Sequence, residues 1–476
     1  MLPPLEIVAR ERPIALVSPA TSAQRFTAGT SSRFATPRPA PYVTVQAELR
    51  HPDHRAARVE VHISSGATRL SGWYEPDDGD VGIDVVDDSL HVTTHRSRRH
   101  GRVVWQPTSL ALTLTGRHLT LFCLEDDRWV ARARVDLAGR VDTHDERWLA
   151  QLRLGHRSDS ALVTRLHSGG FGHLGLRDLK LVTEADGRPV LHRGEWLLTA
   201  TSAGPGFFDT AHTSVWRLSP DSSRLTHSAD LYFRRPDRAG VFGDHAVHLV
   251  RDEGRWLLAA STWGDFDRER NPSVRCVLAE TRESPVEGEH VLETRELPLP
   301  TDGLKSVGVW DPHLLRDGET WLVGYASARR FFRFHPCLAT GPSLDRLSLR
   351  AAATDRRATE GVTLLRPEGR RGPLWVLASD GRDNRRDQRG RFPVFDLDLK
   401  EIGTLDAPYP SNLPWPTLVP GERGWRMVTF NGQGTGGPLL GYGTHGDVVF
   451  LQEVRERRTH RGGAPPVTTE GPALGL

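Results

Sequence analysis

Residues 306–327, SVGVWDPHLLRDGETWLVGYAS, contain the pattern around which the rest of the chain repeats. Two short apolar runs flank the turn-forming triplet Arg-Asp-Gly at 316–318, and this pattern predicts a β-hairpin. Asp311 stands at the entry to the first strand, directly before Pro312, which lacks a backbone N–H and stiffens that entry. The stretch therefore predicts a strand–turn–strand unit with a carboxylate at its mouth.

The same unit recurs along the chain, and its clearest marker is a tryptophan that opens the strand after the turn. These tryptophans are separated by 60, 65, 54 and 50 residues. A period of roughly 50–60 residues holding several short strands is typical of propeller blades. The sequence therefore predicts an all-β chain with a five-bladed β-propeller over residues 166–455. The marker residues are Trp196, Trp256, Trp321, Trp375 and Trp425.

An acid stands at or near the start of the strand before the turn in the first four repeats. These acids are Asp178, Asp244, Asp311 and Glu360, and the fifth repeat carries Asn412 nearby. One aspartate before a hairpin is more often a turn or capping residue. Four acids in matching positions favour another reading. If these strands are the innermost of their blades, their starts converge at one end of the central channel, and the carboxylates face one concave site.

The Asp of the first repeat, the Asp-Pro of the third and the Glu-Gly of the fourth resemble glycoside hydrolase family 43 and its relatives in clan F. The resemblance covers about residues 170–455 and implies Asp178 as general base, Glu360 as general acid, and Asp311 as the residue that tunes and orients that acid. Asp244 would be a substrate or supporting ligand. The family usually has Asp-Pro in its first blade, whereas this chain has Asp178-Leu179.

Further residues after the tryptophan strands have the side chains that a sugar site needs, namely aromatic faces and hydrogen-bonding groups. We expect Phe207, Trp263, Arg382 and Asn431 to bind substrate. His445 lies where the family often keeps a histidine near a channel ion. The resemblance therefore leaves room for a structural calcium ion in the channel, while it implies no catalytic cofactor. The three cysteines have no metal-ligand spacing.

The regions outside the repeats divide into three parts. Residues 1–40 are rich in Pro, Ser, Thr and Ala, and we expect a mobile arm or linker. Residues 41–165 alternate apolar and polar side chains in several short runs, which predicts a β-sandwich. It weakly resembles the concanavalin and laminin-G-like sandwiches, and either carbohydrate binding or simple support of the propeller would suit it. Residues 456–476 form a C-terminal tail.

Composition restricts the partners of this chain of 476 residues. Its net charge of +2 predicts no strong attraction to nucleic acid or anionic membranes. No run approaches the roughly 20 apolar residues of a membrane span. The first residues lack the pattern of a secretory signal, so a cytoplasmic protein is expected, although a chain whose leader had been removed would look the same. The oligomeric state stays open.

The resemblance implies a glycoside hydrolase acting on arabino- or xylo-configured oligosaccharides. Asp178 and Glu360 come from blades that face each other across the ring, and this placement favours the wide carboxyl spacing of an inverting enzyme. A second hypothesis is a carbohydrate-binding or interaction propeller without catalysis, which the Asp178-Leu179 departure and the missing export signal favour. A third, a clan relative acting on fructosides, lacks its expected Asn-Asp-Pro-Asn-Gly and Glu-Cys-Pro stretches.

Overall fold

The structure is a computed structural model that describes residues 2–27, 29–50, 58–158, 162–369, 372–422, 424–440 and 446–454. Strands dominate it. Within these ranges the helical elements are the short α-helix Glu146–Ala150 and the 3₁₀ turns Phe208–Thr210, Arg386–Gln388 and Pro438–Leu440. None of the helices in the described ranges is long and apolar enough to cross a membrane. The all-β fold predicted from the sequence is confirmed.

Two six-stranded antiparallel sheets form a sandwich in the first third of the chain. Strands are numbered in chain order, and the members of each sheet are named in their spatial order. The first sheet is β12 (Arg128–Asp136), β11 (His118–Glu125), β10 (Ser109–Thr115), β5 (Tyr42–Leu49), β14 (Val163–Gly169) and β3 (Ala23–Phe26). The second is β4 (Ser31–Ala35), β13 (Arg153–Ser158), β6 (Val59–Ser65), β7 (Thr68–Glu75), β8 (Asp80–Val86) and β9 (Val92–His95).

The sandwich core follows from the alternation seen in the sequence. Val59, Val61 and Ile63 on β6 are fully buried, and they pack in one cluster with Leu112 and Leu114 of β10 in the opposite sheet. Because successive side chains of a strand point to opposite faces, every second residue of each strand enters this core. The two sheets thus share a continuous apolar layer.

The prediction of a mobile arm over residues 1–40 is wrong, because four strands lie within it. Strands β3 and β4 extend the two sandwich sheets, and β2 (Ala15–Val17) pairs with β15 (Phe171–His173). Strand β1 (Leu5–Glu11) pairs with the last strand of the propeller. The alternation in LEIVARE was the available signal, but the Pro- and Ser-rich composition around it obscured the short strands. The predicted tail at 456–476 lies outside the described residues.

Five four-stranded blades follow, and the strands of each are named from the innermost outward. Blade one is β16 (Leu176–Leu181), β19 (Glu195–Ser202), β20 (His212–Leu218) and β21 (Leu225–Arg235), with β18 (Leu191–His192) and β22 (Arg238–Phe242) at its edges. Blade two is β23 (His245–Asp252), β24 (Arg255–Ser261), β25 (Cys276–Thr281) and β26 (Gly288–Glu296). The short β17 (Thr183–Glu184) pairs with β23, and the outer strands β21 and β26 pair in parallel, so blades one and two share a sheet.

The last three blades are separate sheets. Blade three is β27 (Gly308–Asp317), β28 (Thr320–Arg330), β29 (Arg333–Ser343) and β30 (Arg346–Ala352). Blade four is β31 (Thr359–Leu365), β32 (Trp375–Asp380), β33 (Pro393–Phe395) and β34 (Glu401–Thr404). Blade five is β35 (Thr417–Gly421), β36 (Gly424–Asn431), β37 (Asp447–Glu453) and, outermost, β1 from the start of the chain. The predicted five blades are confirmed.

The marker tryptophans explain why the repeat was visible in the sequence. Each lies at the start of the second strand of its blade, and the first four are buried in the apolar clusters between blades. A separate cluster joins the sandwich to the propeller, in which Tyr42 of β5 stacks on Tyr232 of β21 with ring centroids 5.3 Å apart. The two domains therefore share buried surface.

Candidate functional site

The inner strands of the first four blades begin with the same irregularity. In each, the pairing with the second strand slips by one residue near the strand start, which is a β-bulge. One residue in each bulge has left-handed backbone angles, a strained conformation for a side chain other than glycine. Bulges re-aim side chains, and here they sit at one end of the channel. The left-handed residues are Asp178 (φ 52°), Ala246 (58°), Asp311 (61°) and Gly361 (69°).

The bulges also correct the alignment of the four acids. Asp178 and Asp311 are equivalent, but the matching residue of blade two is Ala246, and that of blade four is Gly361. Glu360 therefore lies one residue before the bulge position. The prediction of four acids in matching positions is wrong for Asp244 and Glu360, because the bulge lies 18, 10, 10 and 14 residues before the marker tryptophan in blades one to four and has no evident mark in the sequence.

Three of the predicted acids nevertheless converge. Asp178, Asp311 and Glu360 line a single cavity of about 70 Å³ at the strand starts. Aromatic side chains make up much of its wall, among them the predicted Trp263 and also Trp310 and Trp415. The other lining residues are Arg177, Phe208, His245, Ala246, Phe331, Phe332, Phe334 and Leu413. We call this the acid pocket.

Glu360 is held between two tryptophans. The Nε1–H of Trp310 donates a hydrogen bond to Glu360 Oε2 at 3.2 Å. The next residue must be glycine, because a Cβ on Gly361 would lie 2.3 Å from the Trp415 ring. Removal of the carboxyl from water raises the pKa of Glu360 to about 7, and the nearby Asp178 carboxylate contributes to this rise. Glu360 thus keeps its proton up to neutral pH.

Asp311 is buried below the pocket mouth. Its backbone N–H donates to Ser261 Oγ at 2.9 Å, while its Oδ2 atom has no hydrogen-bond partner among the described residues. Burial raises the pKa of Asp311 well above its usual range, and repulsion from the Glu360 carboxyl adds to this effect. Asp311 and Glu360 repel each other when both are ionised in this poorly solvated pocket, so the charge on one makes the other hold its proton more tightly. Such a group can carry out acid–base chemistry.

A lysine that the sequence pattern did not single out lies beneath the acids. Lys180 is 1% exposed, and its Nζ donates to the carbonyl oxygens of Asp311 at 2.9 Å and Pro312 at 2.7 Å. It lies 5.1 Å from the centre of the Trp415 ring. Burial lowers the pKa of Lys180 to about 8, although the Asp311 carboxyl opposes the shift. Its signal in the sequence was a lysine two residues after Asp178 in a chain that uses arginine almost everywhere else.

A second, larger cavity of about 830 Å³ adjoins the acid pocket. Both cavities are lined by Phe332, Phe334 and Leu413. The predicted substrate residues Phe207 and Arg382 line this outer cavity and not the acid pocket. The structure therefore places them beside the acids, in the adjoining space.

The sandwich forms one wall of the outer cavity, which sequence reasoning had missed. Arg117, His118 and Arg134 of the sandwich line it together with residues of the blades. His118 Nε2 lies 2.7 Å from Asp209 Oδ2, and Arg134 Nε has no hydrogen-bond partner in the described part of the chain. A side chain that reaches a site from another domain leaves no local pattern in the sequence.

Two other predicted residues, Asp244 and Asn431, do not join the acids. Asp244 is fully buried and bonded twice by Arg235, with Nε to Oδ2 at 2.7 Å, and it accepts from the backbone N–H of Gly264 at 3.0 Å. Its expected role as a substrate ligand is wrong, because this ion pair occupies its oxygens. Asn431 is buried at the end of β36 and lines neither cavity. His445 lies outside the described residues.

Metal ligands are not brought together in the parts of the chain that the structure describes. No group of three or more His, Cys, Asp or Glu side chains there has the proximity that a metal ion needs. The three cysteines are buried, free and far from one another in the sequence.

Comparison with known proteins gives matches at the level of solved structures only. No family model and no curated protein matches the chain. A family 117 glycoside hydrolase from Zobellia galactanivorans is 12% identical, with 58% of this chain and 84% of that chain covered and a TM-score of 0.40. A thermostable family-43 glycoside hydrolase is 14% identical, with 62% and 95% covered and a TM-score of 0.38.

An α-L-arabinofuranosidase from Lactobacillus brevis is also similar, at 13% identity, with 58% and 90% covered and a TM-score of 0.40. Identities and TM-scores this low do not determine what the present chain acts on. Its function must be inferred from its own side chains.

Proposed function

We propose that this protein is a glycoside hydrolase that cleaves oligosaccharides by an inverting mechanism, with Glu360 as general acid and Asp178 as general base. The observation that carries this proposal is the convergence of Asp178, Asp311 and Glu360 on one aromatic pocket with no arginine or lysine side chain in hydrogen-bonded contact with their carboxyls among the described residues. Carboxyl groups that are not hydrogen-bonded to basic side chains and lie next to aromatic rings suit acid–base chemistry on a sugar.

We assign the two proton transfers of the reaction to Glu360 and Asp178 separately. Glu360 has a pKa of about 7, so it carries a proton that it can donate to the leaving oxygen. Asp178 in its ionised form takes a proton from water as the water oxygen attacks the anomeric carbon and the glycosidic C–O bond breaks. A return of the proton from Asp178 to Glu360, through solvent, resets the site. Asp311 is the positioning residue, because its buried carboxyl shares the pocket with Glu360 and interacts with it electrostatically.

The volumes of the two cavities suggest which part of the substrate each of them holds. The acid pocket of about 70 Å³ has the volume of about two water molecules. We therefore assign the attacking water and the reacting bond to it, and the sugar units to the outer cavity of about 830 Å³. Phe207 contributes an aromatic ring to its wall, and Arg382 is an exposed donor. The preference for arabino- or xylo-configured sugars rests on the resemblance of the Asp178, Asp311 and Glu360 motifs alone.

A panel of aryl glycosides tests the proposal, with the anomeric form of the first product followed by NMR. We expect hydrolysis with inversion, since Asp178 and Glu360 come from blades one and four. In Glu360→Gln, activity should fall at least about 10²-fold on substrates with poor leaving groups and much less on those with good ones, which need no protonation. Asp178→Asn should lose activity on both kinds.

Other outcomes decide against parts of the proposal. Retention of configuration would contradict the assignment of Asp178 as base, because retaining enzymes use a nucleophile at closer spacing. Tight oligosaccharide binding with no turnover of any glycoside would replace the hydrolase by a carbohydrate-binding propeller.

A further inference from the structure

One layer below the acids, the inner strands place a ring of buried polar side chains in the channel. Each lies two residues after the left-handed residue of its blade, so the four are equivalent by the alternation of a strand. All four are at most 9% exposed. The ring consists of Lys180, His248, His313 and Thr363. We call it the channel ring.

The two histidines of the channel ring are uncharged and fill the channel beside Lys180. Their rings stack at 3.8 Å between centroids with planes 18° apart. The backbone N–H of Leu314 donates to His248 Nδ1 at 3.0 Å, and that of Leu364 donates to His313 Nδ1 at 3.5 Å. Burial lowers the pKa of both imidazoles well below the usual value. The positive charge of the ring therefore resides on Lys180.

A calcium ion, for which the sequence left room in the channel, does not fit this layer. Calcium requires six to eight oxygen ligands, mostly carboxylates and carbonyls. Here the carbonyl oxygens of Asp311 and Pro312 already accept hydrogen bonds from Lys180 Nζ. The neighbouring groups are imidazoles, and an ammonium group would repel a second cation. The donor set suits a bound ammonium, and the chain supplies one itself.

We propose that Lys180 is a positioning residue that serves as the built-in cation of the channel. Its two hydrogen bonds hold the left-handed turn at Asp311, which aims that carboxyl at the pocket. Its charge stabilises the ionised forms of Asp178 and Asp311 across the ring. The groups that face it are Asp178, Asp311, Cys276, His248 and His313. This inference deepens the proposed hydrolase and rests on it for the catalytic readout.

Lys180→Met tests this role because it keeps the length of the side chain and removes the charge. Thr363→Val is the matched control, since it removes a polar group from the same ring without a change in charge. We expect Lys180→Met to lower kcat about 10²-fold with little change in KM, and to move the acidic limb of the pH–rate profile upward by about one unit. Lys180→Arg should restore part of kcat. Thr363→Val should keep the wild-type profile.

Two further measurements separate this inference from the proposed function. Wild-type activity should be the same in EDTA and in millimolar calcium, and a clear loss in EDTA that calcium reverses would overturn the inference. If the wild type hydrolyses no glycoside, thermal unfolding still tests Lys180. Without the ammonium the buried carboxyls ionise less readily, so the Tm of Lys180→Met should fall more steeply than that of the wild type between pH 5 and pH 8. Parallel Tm curves together with a wild-type pH–rate profile would leave Lys180 a packing residue only.

Discussion

Carboxyl side chains line both ends of the propeller channel, but their neighbours differ. At the starts of the inner strands, Asp311 and Glu360 are enclosed by aromatic rings, and their carboxyls accept no hydrogen bond from an arginine or lysine side chain in the described structure. At the other end, where the inner strands finish, a cavity of about 440 Å³ is lined by carboxylates that are paired with arginines. The pairs there are Asp252 with Arg316 at 2.8 Å, Asp317 with Arg366 at 2.6 Å, Asp186 with Arg188 at 2.8 Å, and Glu184 with Arg251.

The difference shows how a carboxylate is assigned to stability or to chemistry. A carboxylate with an arginine partner is fixed by an ion pair and contributes to the fold, although burial raises the pKa of Asp252 even beside Arg316. A carboxyl buried without such a partner costs free energy, and its pKa rises into the range where it can give and take protons. Counting acids at a channel end is therefore a poor guide to function. The side chains that contact each acid determine whether it serves stability or proton transfer.

Substitution of one acid at each end of the channel should give the largest effects on turnover and stability. The two substitutions should change stability in opposite directions. Asp311→Asn should lower turnover about 10²-fold or more, and it should leave the Tm equal or higher because an unpaired buried acid is removed. Asp252→Asn should keep turnover within about twofold and cost about 1–3 kcal/mol, because Arg316 loses its buried partner. Glycoside kinetics and thermal unfolding of both variants provide the measurement. Wild-type turnover in Asp311→Asn would contradict its assigned role.

The second-largest expected difference between the two ends of the channel is in how their carboxyls make stability depend on pH. The pKa of Glu360 is about 7 in the folded chain and near its ordinary value when unfolded, so its protonated form is favoured by folding. Its contribution is therefore fully present at low pH and is lost as pH rises from about 4.5 to about 7, by an amount on the order of 3 kcal/mol. Activity should fall over the upper part of this range and above it as the acid loses its proton.

Glu360→Gln isolates this contribution. Unfolding of the wild type and the variant is measured between pH 5 and pH 8, and the stability of the variant should decline less with rising pH. Glu253→Gln at the other end, whose parent side chain is exposed, should keep the wild-type dependence. A slope unchanged by Glu360→Gln would show that Glu360 is ionised throughout.

The smallest effect is expected at the rim of the paired end. Arg188 is 64% exposed at its side chain where it pairs with Asp186, and exposed pairs contribute about 0–1 kcal/mol. Arg188→Gln should therefore change the Tm by no more than about one degree and leave turnover unchanged. A marked loss of activity or of ligand affinity in this variant would show that the paired end is itself a binding site.

Sequence reasoning reached the propeller and the three central acids because both are repeated features. The tryptophans recur because each blade needs a bulky residue at the same place in its apolar packing. Asp178, Asp311 and Glu360 each lie near the start of the inner strand of their blade. Asp244 was misplaced because a bulge and a buried Arg235 decide its environment, and neither is visible locally.

Other features depend on contacts between distant segments. Lys180 acquires its partners from blade three, and Arg134 reaches the outer cavity from the sandwich. Strand β1 was taken for a mobile arm because its partner lies more than 400 residues further along the chain, where Leu5 pairs with Glu453. Composition indicates which conformation a segment prefers in isolation. The conformation of these segments is instead decided by contacts with distant parts of the chain.

The pairing of β1 with β37 also constrains how the protein matures on the ribosome. The fifth blade needs one strand that is synthesised before the other four blades and three strands that are synthesised after them. At translation rates of about 5–20 residues per second, β1 has to wait tens of seconds for its neighbour. During that time its unpaired edge is open to other strands, and blades one to four can form a ring that is still open. The fifth blade can therefore be completed only after the other four blades have been synthesised.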